Sequence, residues 1–393
     1  LLPTITVIGF VLTVLIGVSL AWLSSAYEFP LRRFFNWAFV LPLSIPPYIA
    51  AYTYSSMLSY TGSVQVFMRE TLGVEPDQKY FHVMSAPGAV VIFTLFLFPY
   101  VYLITRTFLE RQSASYIENA RLLGTKPLAV FFKVVLPLSR GAIVGGVSLV
   151  AFEVLNDYGV AKYFGLPTFT TAIFKTWFGM YDIDSAIRLS AILMTCIIGL
   201  AVLERFLRRR KAYSAANTAA SPLKRRKLHG LPAFAAIACS MIVFSLSFLI
   251  PVVQLLVWAG WTYLDVLNSQ FIELLGNTLI VSAASIVCLM LLAVIAAVAM
   301  RSGRSAFSQL TSKLLAMGYS IPGAVLSIGV LAIFLSLDAL LAGWYARLGL
   351  GTGKLVLSMS LAMLIFAYVI RFLAVGFNTV ETGFAKIGVR YAE

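Results

Sequence analysis

The amino-acid sequence predicts an all-α transmembrane fold built from two similar halves that cross the membrane in the same orientation. Of its 393 residues, 60% are hydrophobic and only 12% are charged, whereas soluble domains have about 25% charged residues. Nine apolar segments are long enough to cross a bilayer as helices, because one helical span needs about 20 mainly apolar residues. A short motif, Ser-Ile-Pro, also occurs once in each half.

The predicted spans alternate in direction, and the basic residues indicate which side faces the cytoplasm. The spans lie near 1–24, 36–58, 86–106, 136–156, 184–204, 232–258, 274–300, 314–336 and 355–377. With alternating connections, most of the 30 lysines and arginines fall on one side, which the positive-inside rule makes cytoplasmic. The net charge of +14 is therefore explained by membrane topology, and no nucleic-acid partner is expected.

Two short matches in the same order indicate a repeat. Ser44-Ile45-Pro46 and Ser320-Ile321-Pro322 each lie early in a span that follows a basic cytoplasmic turn, and Tyr116-Ile117-Glu118 matches Tyr391-Ala392-Glu393. Because both halves keep one orientation, a pseudo-two-fold axis along the membrane normal is expected.

The repeat divides the chain into two predicted domains. We expect a first domain at 1–204, a basic cytoplasmic linker at 205–230 and a second domain at 231–393. The span at 232–258 has no counterpart in the first half, so an intact protein would have about twelve spans. One of them would precede residue 1, and about two would follow Glu393.

The segment 113–141, on the predicted cytoplasmic side, has the pattern of a helix, a turn and a second helix. Ser115 and Glu118 have capping-box spacing for a helix at 115–123. Gly124 can end that helix with a positive φ. Lys126 and Pro127 begin a second, amphipathic segment, which places Val130, Phe131, Val134 and Val135 on its apolar side.

This segment resembles the loop E-A-A-x-x-x-G-x9-I-x-L-P of permeases in binding-protein-dependent ABC importers. The matching positions are Glu118, Asn119, Ala120, Gly124, Val134, Leu136 and Pro137, with Asn119 and Val134 as mild departures. We call 113–141 the coupling loop. The resemblance implies a type I, methionine-permease-like transmembrane domain. It also implies that the loop inserts into a separate cytoplasmic ATPase, and that Glu393 opens a second copy.

The same resemblance implies the partners. Two loops imply two copies of a cytoplasmic ABC ATPase, which would carry the ATP and magnesium, while this chain would bind no cofactor and hydrolyse no ATP. A periplasmic binding protein would deliver the substrate to a multi-pass protein of the bacterial inner membrane. Segment 349–354 faintly resembles a phosphate-binding loop, but Leu355 stands where a Ser or Thr would hold magnesium.

Two further stretches, 41–54 and 153–180, resemble the fused permeases of ferric-iron uptake systems. That resemblance implies iron as the substrate, while permeases for thiamine, phosphonate or polyamine share the architecture. A secondary transporter or channel is the alternative from another class, but it has no need for a helical cytoplasmic loop. A membrane enzyme is disfavoured because the sequence shows no metal-ligand cluster and no nucleophile–base pair.

Acidic residues near the outer end of the fourth span are the first candidates for a transport path. Glu153 and Asp157 are four residues apart, which predicts one shared helix face, and Tyr158 follows them. Carboxylates and phenols are hard oxygen donors suited to a hard cation. The structural alternative is that Glu153 pairs with Arg188 or Lys162. No firm metal site is predicted, and the remaining path candidates are Ser44, Pro46, Ser320 and Pro322.

Overall fold

The computed structural model describes residues 2–111, 115–209, 225–302, 311, 321–348, 355–358 and 360–387. Over this part of the chain the backbone is predominantly helical, which confirms the predicted all-α fold. Seven described helices are long and apolar enough to cross a membrane: Val7–Ala26, Ala86–Glu110, Ile183–Leu207, Leu231–Val266, Ser269–Met300, Gly323–Arg347 and Leu361–Phe384. Two sharply bent helix pairs raise the number to nine if each pair counts as one span.

Twelve helices of the described part of the chain precede the predicted linker. They are α1 (Leu2–Ala26), α2 (Arg32–Ala38), α3 (Pro47–Met57), α4 (Ser63–Glu70), α5 (Ala86–Arg111), α6 (Ser115–Leu122), α7 (Pro127–Val130), α8 (Leu136–Leu138), α9 (Arg140–Asn156), α10 (Gly159–Tyr163), α11 (Phe169–Phe174) and α12 (Ile183–Arg209). Five described helices follow the linker, namely α13 (Leu231–Phe244), α14 (Ile250–Val266), α15 (Ser269–Ser302), α16 (Gly323–Arg347) and α17 (Leu361–Ile387).

Shorter elements complete the described structure. Single turns of 3₁₀ helix lie at Leu41–Ser44 and Gln78–Phe81, and π-helical turns lie at Phe131–Val135, Lys175–Gly179 and Ser245–Leu249. Two strands of two residues each, β1 (Tyr27–Glu28) and β2 (Arg226–Lys227), pair in parallel.

Helix starts follow local capping signals. Asp182 accepts a hydrogen bond from the backbone N–H of Ser185 at 3.0 Å, and Asn268 accepts one from that of Phe271 at 3.0 Å. Each residue directly precedes its helix and satisfies an N–H that has no partner within it. Short polar residues thus set the first residues of α12 and α15.

The predicted span at 36–58 is not one straight helix. A 3₁₀ turn ends at Ser44, and α3 begins at Pro47 with a bend of 91° between the two parts. Pro46 and Pro47 cause the break, because proline has no backbone N–H and its ring excludes a continuous helix. The span at 136–156 is likewise bent, by 64° between Leu138 and Arg140.

Two predicted spans after the linker are displaced along the sequence. The span predicted at 314–336 corresponds to α16, which begins after Pro322, and the span predicted at 355–377 corresponds to α17. At the start of α17, the Ser360 hydroxyl accepts a bond from the Met363 N–H at 3.4 Å. Mean apolarity does not detect such caps, which explains the displaced boundaries.

The backbone supports the predicted repeat. Pro46 has φ −55° and ψ 134° directly before α3, and Pro322 has φ −57° and ψ 138° directly before α16. The two copies of Ser-Ile-Pro therefore end in the same extended proline, followed at once by a helix. Ser320, the first residue of the second copy, lies outside the described residues.

The chain groups into two compact units. The first combines Leu1–Thr171 with Ile198–Trp261, and the second combines Ala172–Ile197 with Thr262–Glu393. Segments 172–197 and 231–261 thus group with helices from the other side of the linker, and the domain boundaries at 204 and 231 stay a prediction.

The first unit is packed around α1, α5 and α9. A Cβ on Gly17 would lie 2.8 Å from the Val101 Cβ, and a Cβ on Gly146 would lie 2.8 Å from the Val101 Cα. Both glycines therefore allow their helices to approach α5 closely, as small residues do in membrane proteins. Beside this contact lies an aromatic core that includes Phe35, Phe39, Phe98, Tyr102 and Phe244.

In the second unit, a buried carboxylate fixes the segment after α16. Asp338 is 2% exposed and accepts bonds from the Tyr345 hydroxyl at 2.9 Å and the Leu357 N–H at 3.0 Å. It also accepts bonds from the Ser358 N–H at 2.8 Å and the Ser358 hydroxyl at 2.6 Å. Burying a charge is costly unless hydrogen bonds replace its lost contacts with water, and here four donors do so.

Candidate functional site

The coupling loop folds as the sequence predicts, into the short helix α6, a turn and the second helical segment 127–138. Ile117 is 2% exposed, and it packs with Val130 and Val135. The same cluster includes Trp22 and Ala26 from α1 and Leu109 from α5, with Ala120 packed against it. The loop therefore has an apolar base seated on the ends of two spans.

Gly124 ends α6 in the left-handed region, with φ +74°, as predicted. The N–H of Thr125 donates to the Ala120 carbonyl at 3.2 Å, the long bond of a Schellman motif. A Cβ on Gly124 would meet no atom within 4 Å, so glycine is required here by its backbone angle alone.

The opposite face of the loop is open. Leu122 and Leu123 are each 85% exposed. Asn119 and Pro137 are exposed, while Glu118, Val134 and Leu136 are half-buried. Leu122 and Leu123 lie at the end of α6, whose other face is packed through Ile117, and they form an exposed apolar surface. The sequence motif does not include these two leucines. Glu393 and the second copy of the loop lie outside the described residues.

The prediction that Glu153 and Asp157 share one helix face is wrong. α9 ends at Asn156, and Asp157 is extended, with φ −69° and ψ 127°. Its Oδ1 accepts bonds from the Val160 and Ala161 N–H groups at 2.9 and 3.2 Å. The Asp157 carboxylate therefore caps the start of α10 instead of prolonging α9, because short acids compete for free N–H groups at helix starts.

Burial raises the pKa of the Asp157 carboxyl from 3.8 to about 6, although its two backbone hydrogen bonds act in the opposite direction. The negative charge of Glu153 adds to the rise. The two carboxyls are thus close enough to interact electrostatically, even though no helix face joins them.

Tyrosines of α3 and α10 lie where these two helices pack together, and α10 follows Asp157 in the chain. A Cβ on Gly159 would lie 2.7 Å from the Tyr48 Cβ, so α10 packs directly on α3. The Tyr52 and Tyr163 rings have centroids 5.9 Å apart, and the Ser55 and Tyr163 hydroxyls lie 2.7 Å apart. Sequence reasoning missed this group, although Tyr48 and Tyr52 have the four-residue spacing of one helix face.

The remaining path candidates have local roles. The Ser44 hydroxyl donates to the Leu41 carbonyl at 2.7 Å, within its own 3₁₀ turn. Pro46 and Pro322 set helix starts, as described above. Tyr158 lies beside Lys162, whose Nζ is 5.3 Å from the phenol ring centroid. Of the predicted path residues, the structure brings together Glu153, Asp157 and Tyr158.

Apolar helical spans, with a helical loop packed on the ends of two of them, define a multi-pass membrane protein. Residues 13–257 match the family described as "Binding-protein-dependent transport system inner membrane component". The match covers more than half of the chain, so the chain belongs to this family, which confirms the resemblance and the inner-membrane location.

Several curated proteins are similar to the chain. The Fe(3+)-transport system permease protein FbpB 2 of Haemophilus influenzae is 26% identical over 319 residues, 80% of this chain and 59% of that protein. The sulfate transport system permease protein CysT of Escherichia coli is 30% identical over 147 residues, covering 37% of this chain and 50% of that protein. The molybdenum transport system permease protein ModB of Escherichia coli is 26% identical over 148 residues, covering 38% of this chain and 62% of that protein. The chain thus spans about three fifths of the length of FbpB 2.

Proposed function

We propose that this chain is the translocation subunit of an ATP-driven importer, with its energy supplied by a separate cytoplasmic ATPase. Membership of a binding-protein-dependent transport family supports this role. The observation that carries it is the build of the coupling loop. Its apolar base rests on the ends of α1 and α5, while Leu122 and Leu123 face outward. A push on the tip would therefore be transmitted to two spans.

The loop is proposed to insert into a cleft of the ATPase, one ATPase for each of two loops. Exposed leucines at a rigid tip suit an apolar cleft, because burying a leucine contributes ~2 kcal/mol. ATP and magnesium would be held by those partners, and a periplasmic binding protein would present the substrate on the other side. A secondary transporter would instead work without any ATPase.

The test replaces the apolar tip with charge. In the double variant Leu122→Asp and Leu123→Asp, we expect loss of permease-stimulated ATP hydrolysis and of ATPase co-purification, with membrane insertion unchanged. Leu72→Asp is the control, since Leu72 is 58% exposed and lies on the predicted outer side. If the double variant retains wild-type stimulation, the docking role of the tip is wrong.

We propose ferric iron as the substrate. The Fe(3+) permease FbpB 2 is similar over 80% of the chain, whereas the sulfate and molybdenum permeases are similar over 37% and 38%. Uptake of radioactive iron by cells that produce the complete importer tests the proposal, with sulfate and molybdate as competing cargoes. Uptake of either oxyanion in place of iron would reassign the substrate.

Glu153, Asp157 and Tyr158 are proposed to line the path together with Tyr48 and Tyr52. Their hard oxygen atoms suit a hard cation during transit. We expect Glu153→Gln with Asp157→Asn to reduce iron uptake while loop-dependent ATP hydrolysis persists. Tyr52→Phe removes one hydroxyl and leaves the ring in place, so it separates a ligand role from packing. Unchanged uptake in all these variants would exclude the proposed lining.

A further inference from the structure

The end of the interdomain linker is joined to the first unit by a short parallel strand pair. Tyr27 pairs with Arg226 and Glu28 with Lys227, and the Leu228 N–H donates to the Glu28 carbonyl at 2.9 Å. These contacts use main-chain atoms, so they hold β2 in position whatever its side chains do. Two basic side chains are thereby brought to the end of α1, on the predicted cytoplasmic side.

Between this strand pair and the coupling loop lies a cavity of about 210 Å³. That is far above the ~15 Å³ needed to hold one water molecule. Its lining residues are Trp22, Tyr27, Thr125, Pro127, Val130 and Arg226. Four of these side chains carry hydrogen-bond donors, and Arg226 carries a full positive charge.

The charges around the cavity favour an anion. The Glu28 carboxylate lies 3.0 Å from Arg32, and the Glu110 carboxylate lies 3.0 Å from Arg106 and 4.0 Å from Arg225. Both nearby acids are therefore already neutralised. Arg226 takes part in none of the ion pairs formed between described residues.

We propose that this cavity binds a phosphate group, carried by an anionic phospholipid headgroup or by free inorganic phosphate. The planar guanidinium of Arg226 matches two phosphate oxygens, and the Thr125 and Tyr27 hydroxyls can donate to the others. The site lies at the end of a predicted span, where Trp22 and Tyr27 are typical of the headgroup level. Basic clusters at this level attract anionic lipids.

The site connects two parts of the protein that are distant in sequence. Thr125 and Pro127 lie just after Gly124 in the coupling loop, and Arg226 lies near the end of the linker. A phosphate held between them would tie the inner side of the loop to the linker strand. Binding at this cavity does not depend on whether the loop docks onto an ATPase, so its test is separate from that of the proposed function.

The test uses the full permease and the variant Arg226→Gln. Glutamine removes the charge but leaves the main-chain pairing of β2 intact. Arg33→Gln is the matched control, because Arg33 is an exposed arginine near the same end of α1 and makes the same change in net charge. Thr125→Val is a second variant that removes only one hydroxyl, in case Arg226→Gln fails to fold.

Lipid binding is measured by native mass spectrometry after mixing with equal amounts of phosphatidylglycerol and phosphatidylcholine of matched acyl chains. We expect the wild type and Arg33→Gln to retain phosphatidylglycerol preferentially by about fivefold, the factor typical of one basic side chain near an anionic surface. Arg226→Gln should lose this preference, and Thr125→Val should weaken it.

Inorganic phosphate is tested separately, with radioactive phosphate and protein in phosphatidylcholine nanodiscs at constant ionic strength. Binding that requires Arg226 would assign the site to free phosphate, and Arg226-dependent retention of phosphatidylglycerol alone would assign it to the lipid. The proposal is overturned if neither ligand depends on Arg226, or if Arg33→Gln has the same effect as Arg226→Gln.

Discussion

Gly124 offers the sharpest test of the coupling loop, because its contribution is confined to the backbone. At φ +74° the left-handed conformation is unfavourable for any L-residue with a side chain. No atom lies within 4 Å of an added Cβ, so a substitution causes no clash with neighbours. The cost for alanine is therefore ~1 to 2 kcal/mol, a factor of about 5 to 30 in the equilibrium between the ordered and disordered loop. Valine should cost more, because its side chain is branched at Cβ, and asparagine less, since it tolerates this region.

The assay is ATP hydrolysis by the partner ATPase, reconstituted with the permease and the loaded binding protein in liposomes. We expect coupled hydrolysis to fall in the order wild type, Gly124→Asn, Gly124→Ala, Gly124→Val, with equal amounts of each variant in the membrane. Gly199→Ala is the control, because Gly199 lies within α12, outside the coupling loop, and an added Cβ there also meets nothing within 4 Å. Wild-type hydrolysis in Gly124→Val would refute the reasoning that this turn holds the loop in its active form.

Three further predictions concern buried polar groups. Asp338→Ala leaves the hydrogen-bond donors of Ser358, Leu357 and Tyr345 without their acceptor, so we expect the protein to be destabilised by ~3 kcal/mol. The measurement is the Tm in detergent, which should fall. An unchanged Tm would contradict this prediction. Because the pKa of Asp157 rises from 3.8 to about 6 on folding, the folded state binds the extra proton and stability falls as pH rises through that window. Asp157→Asn should remove this dependence while keeping the cap, and an unaltered pH profile of Tm would count against the shift. Gln65 is fully buried and exchanges hydrogen bonds with Gln78 at 2.7 and 3.2 Å. Gln65→Leu should therefore lower the free energy of unfolding by ~1 to 3 kcal/mol, which a lower Tm would show. If the lost pair is the cause, changing both glutamines to leucine should recover part of that loss.

Local signals were enough to predict the coupling loop. A glycine that must adopt positive φ, a capping pattern and a proline lie within a few residues of each other, and their effects do not depend on distant parts of the chain. The same holds for the proline before α3 and the proline before α16. Asp157 shows the limit of this reasoning. Four-residue spacing predicts a shared helix face only if the helix continues, and here the carboxylate takes the N–H groups of the next turn instead.

The sequence by itself determined that the chain is a multi-pass helical membrane protein and where its coupling loop turns, because hydrophobicity and caps act over short stretches. Only the tertiary structure decided which distant residues meet. It seats Ile117 on the ends of α1 and α5, places Tyr48 against Gly159, and brings Arg226 to Tyr27. These contacts depend on close packing and on main-chain pairing between segments far apart in the chain, and no local periodicity specifies such partners.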